Sequence, residues 1–320
     1  MRFTLTGFKK MSHESIRIGV DLGGTKIEAA ALDPDGAICA RRRVATPRDD
    51  YAAIIRSIGA LVHELELELD QRGTVGLCGP GSLSKHTGLI RGSNTAVVNG
   101  KALPKDLSQI LQRPVKVEND ANCFALSEAI DGAGKDGNSI FGVILGTGVG
   151  GGMVIDGKIV SGCNHIAGEW GHTPLPWMSE TEYPGKKCFC GHRGCIETFL
   201  CGEALSDDFK SRTGEKKTTK EIVILSRQGD DSALHTLATY QDRLARALAL
   251  LINIYDPDII VLGGGLSNIN EIYFGLIDKV AAHAFTTDRL ETRILQNQHG
   301  DSSGVRGAAW LGASSEPYGT

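Results

Sequence analysis

Three cysteines lie within eight consecutive residues, CFCGHRGC, at Cys188, Cys190 and Cys195. A single residue separates the first two, and a glycine-containing turn leads back to the third, so three thiolates can converge on one point. Zinc prefers sulfur and imidazole ligands in a tetrahedral arrangement. The segment therefore predicts a structural zinc site, with His172 as the preferred fourth ligand and His192 as the alternative. Disulfide pairing or chance spacing is the competing explanation.

Two carboxylates, Glu169 and Glu197, flank the cysteine motif in the sequence. A bound metal would hold both of them rigidly beside it. Together with His172 they form a polar group suited to recognising several hydroxyl groups. The structural alternative is that these residues only support the metal.

Asp120 follows an apolar segment and has Asn119 and Asn122 as neighbours. A carboxylate at that position can accept the proton of an alcohol that attacks phosphorus. Asn and Asp are also preferred at the N-cap of a helix, so capping is the alternative role. The two roles are compatible if Asn119 caps the helix while Asp120 faces a cleft as the general base.

Three glycine turns, at 23–24, 146–152 and 263–265, each follow an apolar segment typical of a buried strand. In open α/β sheets ligands bind beyond the carboxyl ends of strands, and glycine lets backbone amides approach a phosphate closely. A tight hairpin needs the same residues, but three such turns in one chain favour a phosphate site. None matches the Walker pattern, because no Gly-Lys-Ser/Thr opens a helix.

The first turn, DLGGTK, adds polar side chains to its glycines. We predict that Asp21 holds a magnesium ion through water and that Thr25 offers its hydroxyl and amide to a terminal phosphate. Lys26 is either a further phosphate contact or a solvated charge.

The apolar pattern predicts an α/β protein with two similar halves. Each half opens with a strand, a glycine turn and a second strand, and each also contains a long amphipathic helix. The predicted strands are 16–20, 27–32, 37–44, 75–78, 115–117, 140–145, 153–155, 158–160 and 259–262, and the predicted helices are 51–69, one ending at 129, 233–255 and 304–311. The repeat indicates a duplicated fold with a cleft between two lobes and a boundary at 132–137.

The bulk composition limits the classes of function. The chain of 320 residues is long enough for two domains, and its net charge of −4 gives no reason to expect nucleic acid or an anionic membrane as a partner. No apolar run approaches the ~20 residues that a membrane span needs. Residues 1–15 lack the apolar region of a secretion signal and predict a disordered extension from a start codon upstream of Met11. The five remaining cysteines lie in apolar surroundings and fit a reducing cytoplasm.

Five motifs together resemble the ROK family of bacterial sugar kinases and repressors across nearly the whole chain. They are DLGGTK from Asp21, ENDAN from Glu118, LGTGVGGG from Leu145, EWGH from Glu169 and the cysteine motif that ends at Glu197. The resemblance implies an α/β fold of two actin-like, ribonuclease-H-type lobes with an ATP site in the cleft and a small zinc-bearing insertion at 172–195. The implied lobes are 16–133 and 134–303, with the C-terminal segment 304–320 packing back on the first.

The same resemblance assigns site residues. Sugar contacts are implied at Asn94, Asn119, Asp120, Glu169, His172 and Glu197, with Asp120 as the catalytic base. Nucleotide contacts are implied at Gly19, Asp21, Gly23, Gly24, Thr25, Lys26, Gly146, Thr147, Gly148, Gly150, Gly151, Gly264 and Gly265, the last two toward adenosine. ATP, Mg²⁺ and a structural Zn²⁺ held by His172, Cys188, Cys190 and Cys195 are the implied cofactors.

Within the family, the segments TPRDDY (46–51) and GDSSGVRGAAW (300–310) resemble the fructokinase subgroup. This resemblance implies an enzyme that transfers phosphate from MgATP to the primary hydroxyl of a hexose, fructose first and mannose second. We expect it to be cytoplasmic and a homodimer. An N-acetylhexosamine or glucose kinase is the alternative within the class. The alternative from another class is a sugar sensor or repressor, but the residues ahead of Ile16 leave no room for a helix-turn-helix. An intact Asp120 also favours catalysis.

Overall fold

The computed structural model describes residues 15–286 and 288–314. Of the predicted N-terminal extension, residues 1–14 lie outside the described residues, as do residues 315–320 of the predicted C-terminal segment. The first half contains β1 (Arg17–Leu22), β2 (Lys26–Leu32), β3 (Ile38–Ala45), α1 (Tyr51–Leu69), β4 (Thr74–Gly79), β5 (Ser82–Leu83), β6 (Ile90–Arg91), α2 (Leu103–Leu111), β7 (Val115–Asn119) and α3 (Asp120–Ile130). The second half contains β8 (Ser139–Leu145), β9 (Val149–Ile155), β10 (Lys158–Ile159), α4 (Glu197–Leu200), α5 (Gly202–Thr213), α6 (Thr219–Arg227), α7 (Asp231–Tyr255), β11 (Ile259–Gly263), α8 (Leu276–Ala281), β12 (Arg293–Gln296) and α9 (Ser303–Ala313).

Two five-stranded mixed sheets form the centres of the two lobes. Their strand orders are β3-β2-β1-β4-β7 and β10-β9-β8-β11-β12. In each sheet the first three strands in the chain form an antiparallel meander, and the two later strands add in parallel to its first strand. The internal repeat predicted from the sequence is therefore present in the topology of the two sheets.

Apolar helices cover one face of each sheet. Helix α1 begins where Asp50 accepts a hydrogen bond from the Ala53 amide at 2.9 Å, and its three-and-four spacing buries residues such as Ile54 and Ile58 against the first sheet. Helices α5 to α8 bury a larger apolar cluster against the second sheet. Among the residues that the structure describes, no helix is long and apolar enough to cross a membrane.

Helices α3 and α9 cross each other between the two sheets. Helix α9 packs on β1 and β4 of the first sheet, whereas α3 packs on β8 and β9 of the second. The approach is so close that a Cβ atom on Gly19 or Gly76 would lie 1.8 or 1.9 Å from a carbonyl oxygen of α9. One on Gly307 would lie 1.8 Å from the Cys123 carbonyl oxygen of α3. Helix α3 thus packs on the second sheet although it precedes the boundary predicted at 132–137.

The carboxyl end of α3 is fixed by two acidic residues, Glu128 and Asp131, which we call the α3 anchor. The fully buried Glu128 carboxylate accepts a hydrogen bond from the Ser303 hydroxyl at 2.9 Å. Burial alone would raise the pKa of Asp131, but hydrogen bonds from His299 and Arg306 outweigh it and hold that pKa below its usual value. The anchor therefore ties the end of α3 to the start of α9 through buried polar contacts.

Candidate active site and metal centre

Three parallel strands of the first lobe end at one edge of their sheet, and the polar residues predicted for catalysis lie there. Asp21 of β1 pairs with Cys78 of β4, and Gly79 of β4 pairs with Asn119 of β7. Asp120 follows β7 directly as the first residue of α3. The Asn119 side chain caps α3 by accepting the Asn122 amide at 2.7 Å, so the predicted cap is confirmed.

Asp120 and Asp21 are close enough to influence each other's charge. Asp120 is open to solvent, yet the protein atoms around it displace enough water to raise its pKa. Burial also raises the pKa of Asp21 to about 6, helped by the negative charges of Asp120 and Glu28 and opposed by Lys26. Two carboxylates whose charges are unfavourable together have the chemistry of a proton acceptor beside a cation ligand.

The first glycine turn presents its backbone to the cleft. Its hairpin closes with a hydrogen bond from the Gly23 amide to the Lys26 carbonyl oxygen at 3.0 Å, and the Thr46 hydroxyl supports it by donating to the Gly23 carbonyl at 2.7 Å. Gly24, Thr25 and Lys26 are exposed. The turn is therefore rigid while the residues predicted to contact phosphate remain open to a ligand.

The second and third glycine turns each leave one glycine open. No atom lies within 4 Å of the position that a Cβ would take on Gly146 or Gly265. Thr147 between the strands β8 and β9 is exposed as well. Gly264 differs, because its φ of +81° and its contact with the Leu145 backbone already require glycine without any ligand. The two turns offer Gly146, Thr147 and Gly265 to a ligand in the cleft.

The second turn is shorter than the sequence predicts, because β9 begins at Val149. Gly150 and Gly151 are therefore strand residues. A Cβ on Gly150 would meet Ala121 of α3 at 3.3 Å, and one on Gly151 would meet Trp170 at 2.5 Å. Together with Gly19, which contacts α9, they lack side chains because of packing, so their being glycine gives no evidence for a phosphate contact.

Glu197 links the second glycine turn to the polar group predicted to bind sugar. Its Oε2 accepts the Val149 amide at 3.0 Å and would lie 2.7 Å from a Cβ on Gly148. Glu169 is exposed at the start of a short 3-10 helix, Trp170–His172, which carries the predicted histidine. Asn94 is also exposed, in the segment that follows β6.

Four side chains converge in the arrangement predicted for zinc. The ligand atoms of His172, Cys188, Cys190 and Cys195 all lie within 4.8 Å of one another. The Cys188 sulfur is 3.5 Å from His172 Nδ1, and the sulfurs of Cys190 and Cys195 are 3.6 Å apart. Such spacings suit a tetrahedral ion bound at about 2.0–2.3 Å from each ligand. His192 is not part of this group, and if Nδ1 of His172 binds metal, its Nε2 is left for another partner.

Glu118 is a site residue whose role the sequence analysis missed. Its Oε1 accepts the Asn119 amide at 3.0 Å and the Asn122 side-chain amide at 3.2 Å, while its Oε2 accepts the Ser161 hydroxyl at 3.3 Å. It thus holds the residues on either side of Asp120 and contacts the second lobe. Its place at the head of the ENDAN motif was the available signal.

The two repeated sheets, the crossed helices and the acidic and glycine-lined strand ends define a two-lobed phosphotransferase of the actin-like class. A model of the ROK family matches residues 17–314, so the chain belongs to that family, and it is a sugar kinase. The N-acetyl-D-glucosamine kinase of Vibrio cholerae is 42% identical over 297 residues, which cover 92% of this chain and 98% of that protein. The corresponding kinase of Citrobacter koseri is 40% identical over the same lengths.

Solved structures agree with this assignment. The ROK hexokinase of Thermus thermophilus superposes with a TM-score of 0.82 at 29% identity, over 92% of this chain and 97% of that chain. A ROK family glucokinase of Streptomyces griseus, solved with glucose and AMPPNP, gives a TM-score of 0.73 at 29% identity, over 93% and 99%.

The prediction of a fructokinase is not supported, because these similar relatives are N-acetyl-D-glucosamine kinases. The structure explains why the two segments used for that prediction were misleading. Thr46 supports the first glycine turn, and Asp50 caps α1. Ser303 and Arg306 bind the α3 anchor. These residues have structural contacts that are independent of the sugar.

Proposed function

We propose that this sugar kinase transfers the γ-phosphoryl group of ATP to the primary hydroxyl of N-acetyl-D-glucosamine. The observation that carries the choice of sugar is the 42% identity, over 98% of its length, with a relative named for that activity. The coarser choice of a sugar kinase is supported independently by the acidic pair Asp21 and Asp120 at the strand ends and by the open glycine turns.

In the proposed mechanism Asp120 accepts the proton of the sugar hydroxyl as its oxygen attacks the γ-phosphorus and the bond to the β-phosphate oxygen breaks. Its raised pKa brings the carboxylate closer to the pKa that suits a general base near neutral pH. Asn119, Glu169, His172 and Glu197 would orient the sugar hydroxyls. Phosphoryl transfer depends mostly on positioning and charge stabilisation, so the protein mainly has to fix these groups.

In this proposal the glycine turns and Asp21 bind the nucleotide. Amides at Gly24, Thr25 and Gly146 would receive the phosphates, and Gly265 would lie against adenosine. Asp21, whose charge is unfavourable beside Asp120, would hold Mg²⁺ through water, and this ion neutralises phosphate charge when bound.

The test is a coupled assay with MgATP and five acceptors: N-acetyl-D-glucosamine, N-acetyl-D-mannosamine, glucose, mannose and fructose. We expect the highest kcat/KM with N-acetyl-D-glucosamine. A higher kcat/KM with fructose or glucose would contradict the proposed sugar while leaving the kinase assignment intact. No turnover with any of the five would contradict the proposed function.

We also propose one structural zinc per chain, bound by His172, Cys188, Cys190 and Cys195. Elemental analysis of the purified protein should find a stoichiometric amount, and His172→Ala should lower it whereas His192→Ala should not. Loss of zinc from His192→Ala with retention in His172→Ala would reverse the choice of ligand. Cys190→Ser should lower both zinc content and thermal stability, because structural zinc sites contribute directly to folding.

A further inference from the structure

One hydrogen bond from an exposed cation joins the two halves of the chain. The Arg91 guanidinium donates from Nη2 to the carbonyl oxygen of Asn164 at 2.9 Å and from Nε to the Ser82 hydroxyl at 3.2 Å. Arg91 ends β6, which belongs to the first half of the chain, whereas Asn164 follows β10 in the second half. The contact therefore joins the half of the chain that carries Asp120 to the half that carries Glu169.

The segment 161–168, which contains Asn164, has few contacts of its own. Two weak backbone hydrogen bonds at 3.3 Å hold it internally, from His165 to Gly162 and from Ala167 to Ser161. Residues 162–164 and 166 are exposed, and His165 is half-buried. Its other side-chain link across the cleft is the Ser161 hydroxyl, which donates to Glu118 at 3.3 Å. Arg91 thus supplies a charged contact to a segment whose own backbone hydrogen bonds are weak.

Both partners lie next to residues assigned to the sugar. Arg91 precedes Asn94 by three positions, and the segment 161–168 runs directly into Glu169. Gly168, at the end of the segment, packs on the backbone of Gly151 in β9, but Arg91 and Asn164 themselves lie nearer in sequence to the residues assigned to the sugar than to the open glycine positions Gly24, Gly146 and Gly265. A change in the contact should therefore act on the sugar before it acts on ATP.

We propose that Arg91 is a positioning residue that holds segment 161–168 across the cleft and thereby keeps Glu169 and Asn94 together around the bound sugar. This inference rests on the proposed function for the identity of the ligand. Arg91 itself does not touch the reacting atoms.

The first test compares Arg91→Ala with Lys85→Ala, in which the same charge is lost from the exposed turn of the same β5–β6 hairpin. We expect Arg91→Ala to raise the KM for N-acetyl-D-glucosamine about threefold to tenfold, the scale of one ordinary hydrogen bond at an exposed site. The kcat and the KM for MgATP should change less than about twofold. Lys85→Ala should leave all three values unchanged. Equal changes in both KM values, or equal effects of the two substitutions, would overturn the proposal.

The second test uses Arg91→Lys and amide hydrogen exchange. Lysine can still donate to the Asn164 carbonyl but cannot also reach Ser82 from a planar fork, so its sugar KM should be intermediate. In sugar-free protein, Arg91→Ala should accelerate exchange at the His165 and Ala167 amides, and Arg91→Lys should do so less. A raised sugar KM without faster exchange would mean that Arg91 binds the sugar directly, and the positioning role would be wrong.

The exchange measurement also separates this inference from the proposed function. If N-acetyl-D-glucosamine is not a substrate, the sugar-free exchange still shows whether Arg91 holds segment 161–168. The kinetic comparison is then made with the hexose that gives the highest kcat/KM. Unchanged exchange at His165 and Ala167 in Arg91→Ala would overturn the proposal whatever the sugar.

Discussion

Helix α3 has open space around its first residue and close packing along its body. Around its first residue, Asp120, the protein leaves space: Gly146 and Gly265 have no neighbour where a side chain would start, and the carboxylates Asp120 and Asp21 have raised pKa values. Along its body the protein leaves none, because Gly307 lies against the Cys123 backbone. At the start of α3 the carboxylates carry charges that are unfavourable together and that a bound cation would offset, whereas the crossing of α3 and α9 is closely packed and fixes the helix in place.

The largest expected effect is at the cleft end, in Asp120→Asn. The amide keeps the shape of the side chain but cannot accept the hydroxyl proton, so kcat should fall about 10²- to 10⁴-fold. Binding of N-acetyl-D-glucosamine, measured by calorimetry, and the melting temperature should stay near the values of the unmodified protein. A loss of kcat below about threefold would remove Asp120 from the role of base.

The next effect belongs to the helix crossing, in Gly307→Ala. The new Cβ would lie 1.8 Å from the Cys123 carbonyl oxygen, so α9 must shift, and the cost should be about 3 kcal/mol, at the upper end of the usual range for overpacking. Gly59→Ala on α1 is the matched control, because its Cβ would meet only the end of the Ile110 side chain at 3.4 Å. That control should be neutral or stabilise the fold by up to about 1 kcal/mol. Urea unfolding measures the free energy of unfolding of both variants. Similar values for the two would show that the crossing of α3 and α9 is not packed as closely as described.

Asp21→Asn should stabilise the fold but weaken the binding of MgATP, whereas Gly307→Ala should destabilise the fold. Because the pKa of Asp21 rises from 3.8 to about 6 on folding, its contribution to stability declines as pH increases through that interval. The neutral amide should therefore raise the free energy of unfolding by at most about 3 kcal/mol above pH 6, and the gain should vanish below about pH 4. The KM for MgATP should rise. A variant less stable at pH 8 than the unmodified protein would show that the carboxylate supports the fold.

The smallest effect is expected for Gly146→Ala. A Cβ there meets no protein atom, so the fold should be unchanged, but the methyl group would stand where phosphates approach. We expect the KM for MgATP to rise about tenfold, equivalent to about 1.4 kcal/mol, with the sugar KM unchanged. Gly148→Ala should raise both KM values, because its Cβ would lie 2.7 Å from Oε2 of Glu197. A normal KM for MgATP in Gly146→Ala would mean that this turn is not a phosphate site.

The sequence was most informative where a single segment carries the signal. The cysteine spacing predicted the group that the structure brings together, and Asn119 followed the local rule for helix caps. It was less informative where contact depends on distant segments. Nothing near Gly19 shows that α9, almost 290 residues later, will pack against it, so a packing glycine resembles a phosphate glycine. The hydrogen bond from Arg91 to the carbonyl oxygen of Asn164, 73 positions away, leaves no pattern in the sequence either.

The α3 anchor has a mechanical consequence. Helix α3 has eleven residues and is about 16 Å long, with Asp120 at its N-terminal end and the anchor at the other. A tilt of only 5° about the anchor would displace Asp120 by roughly 1.4 Å, and misplacement of about 1 Å can cost 10²-fold in rate. The position of Asp120 therefore depends on how firmly Glu128 and Asp131 fix the other end of the helix. Loosening the contacts of the α3 anchor would misplace the Asp120 carboxylate, although the anchor lies one helix length away from the proposed sugar site.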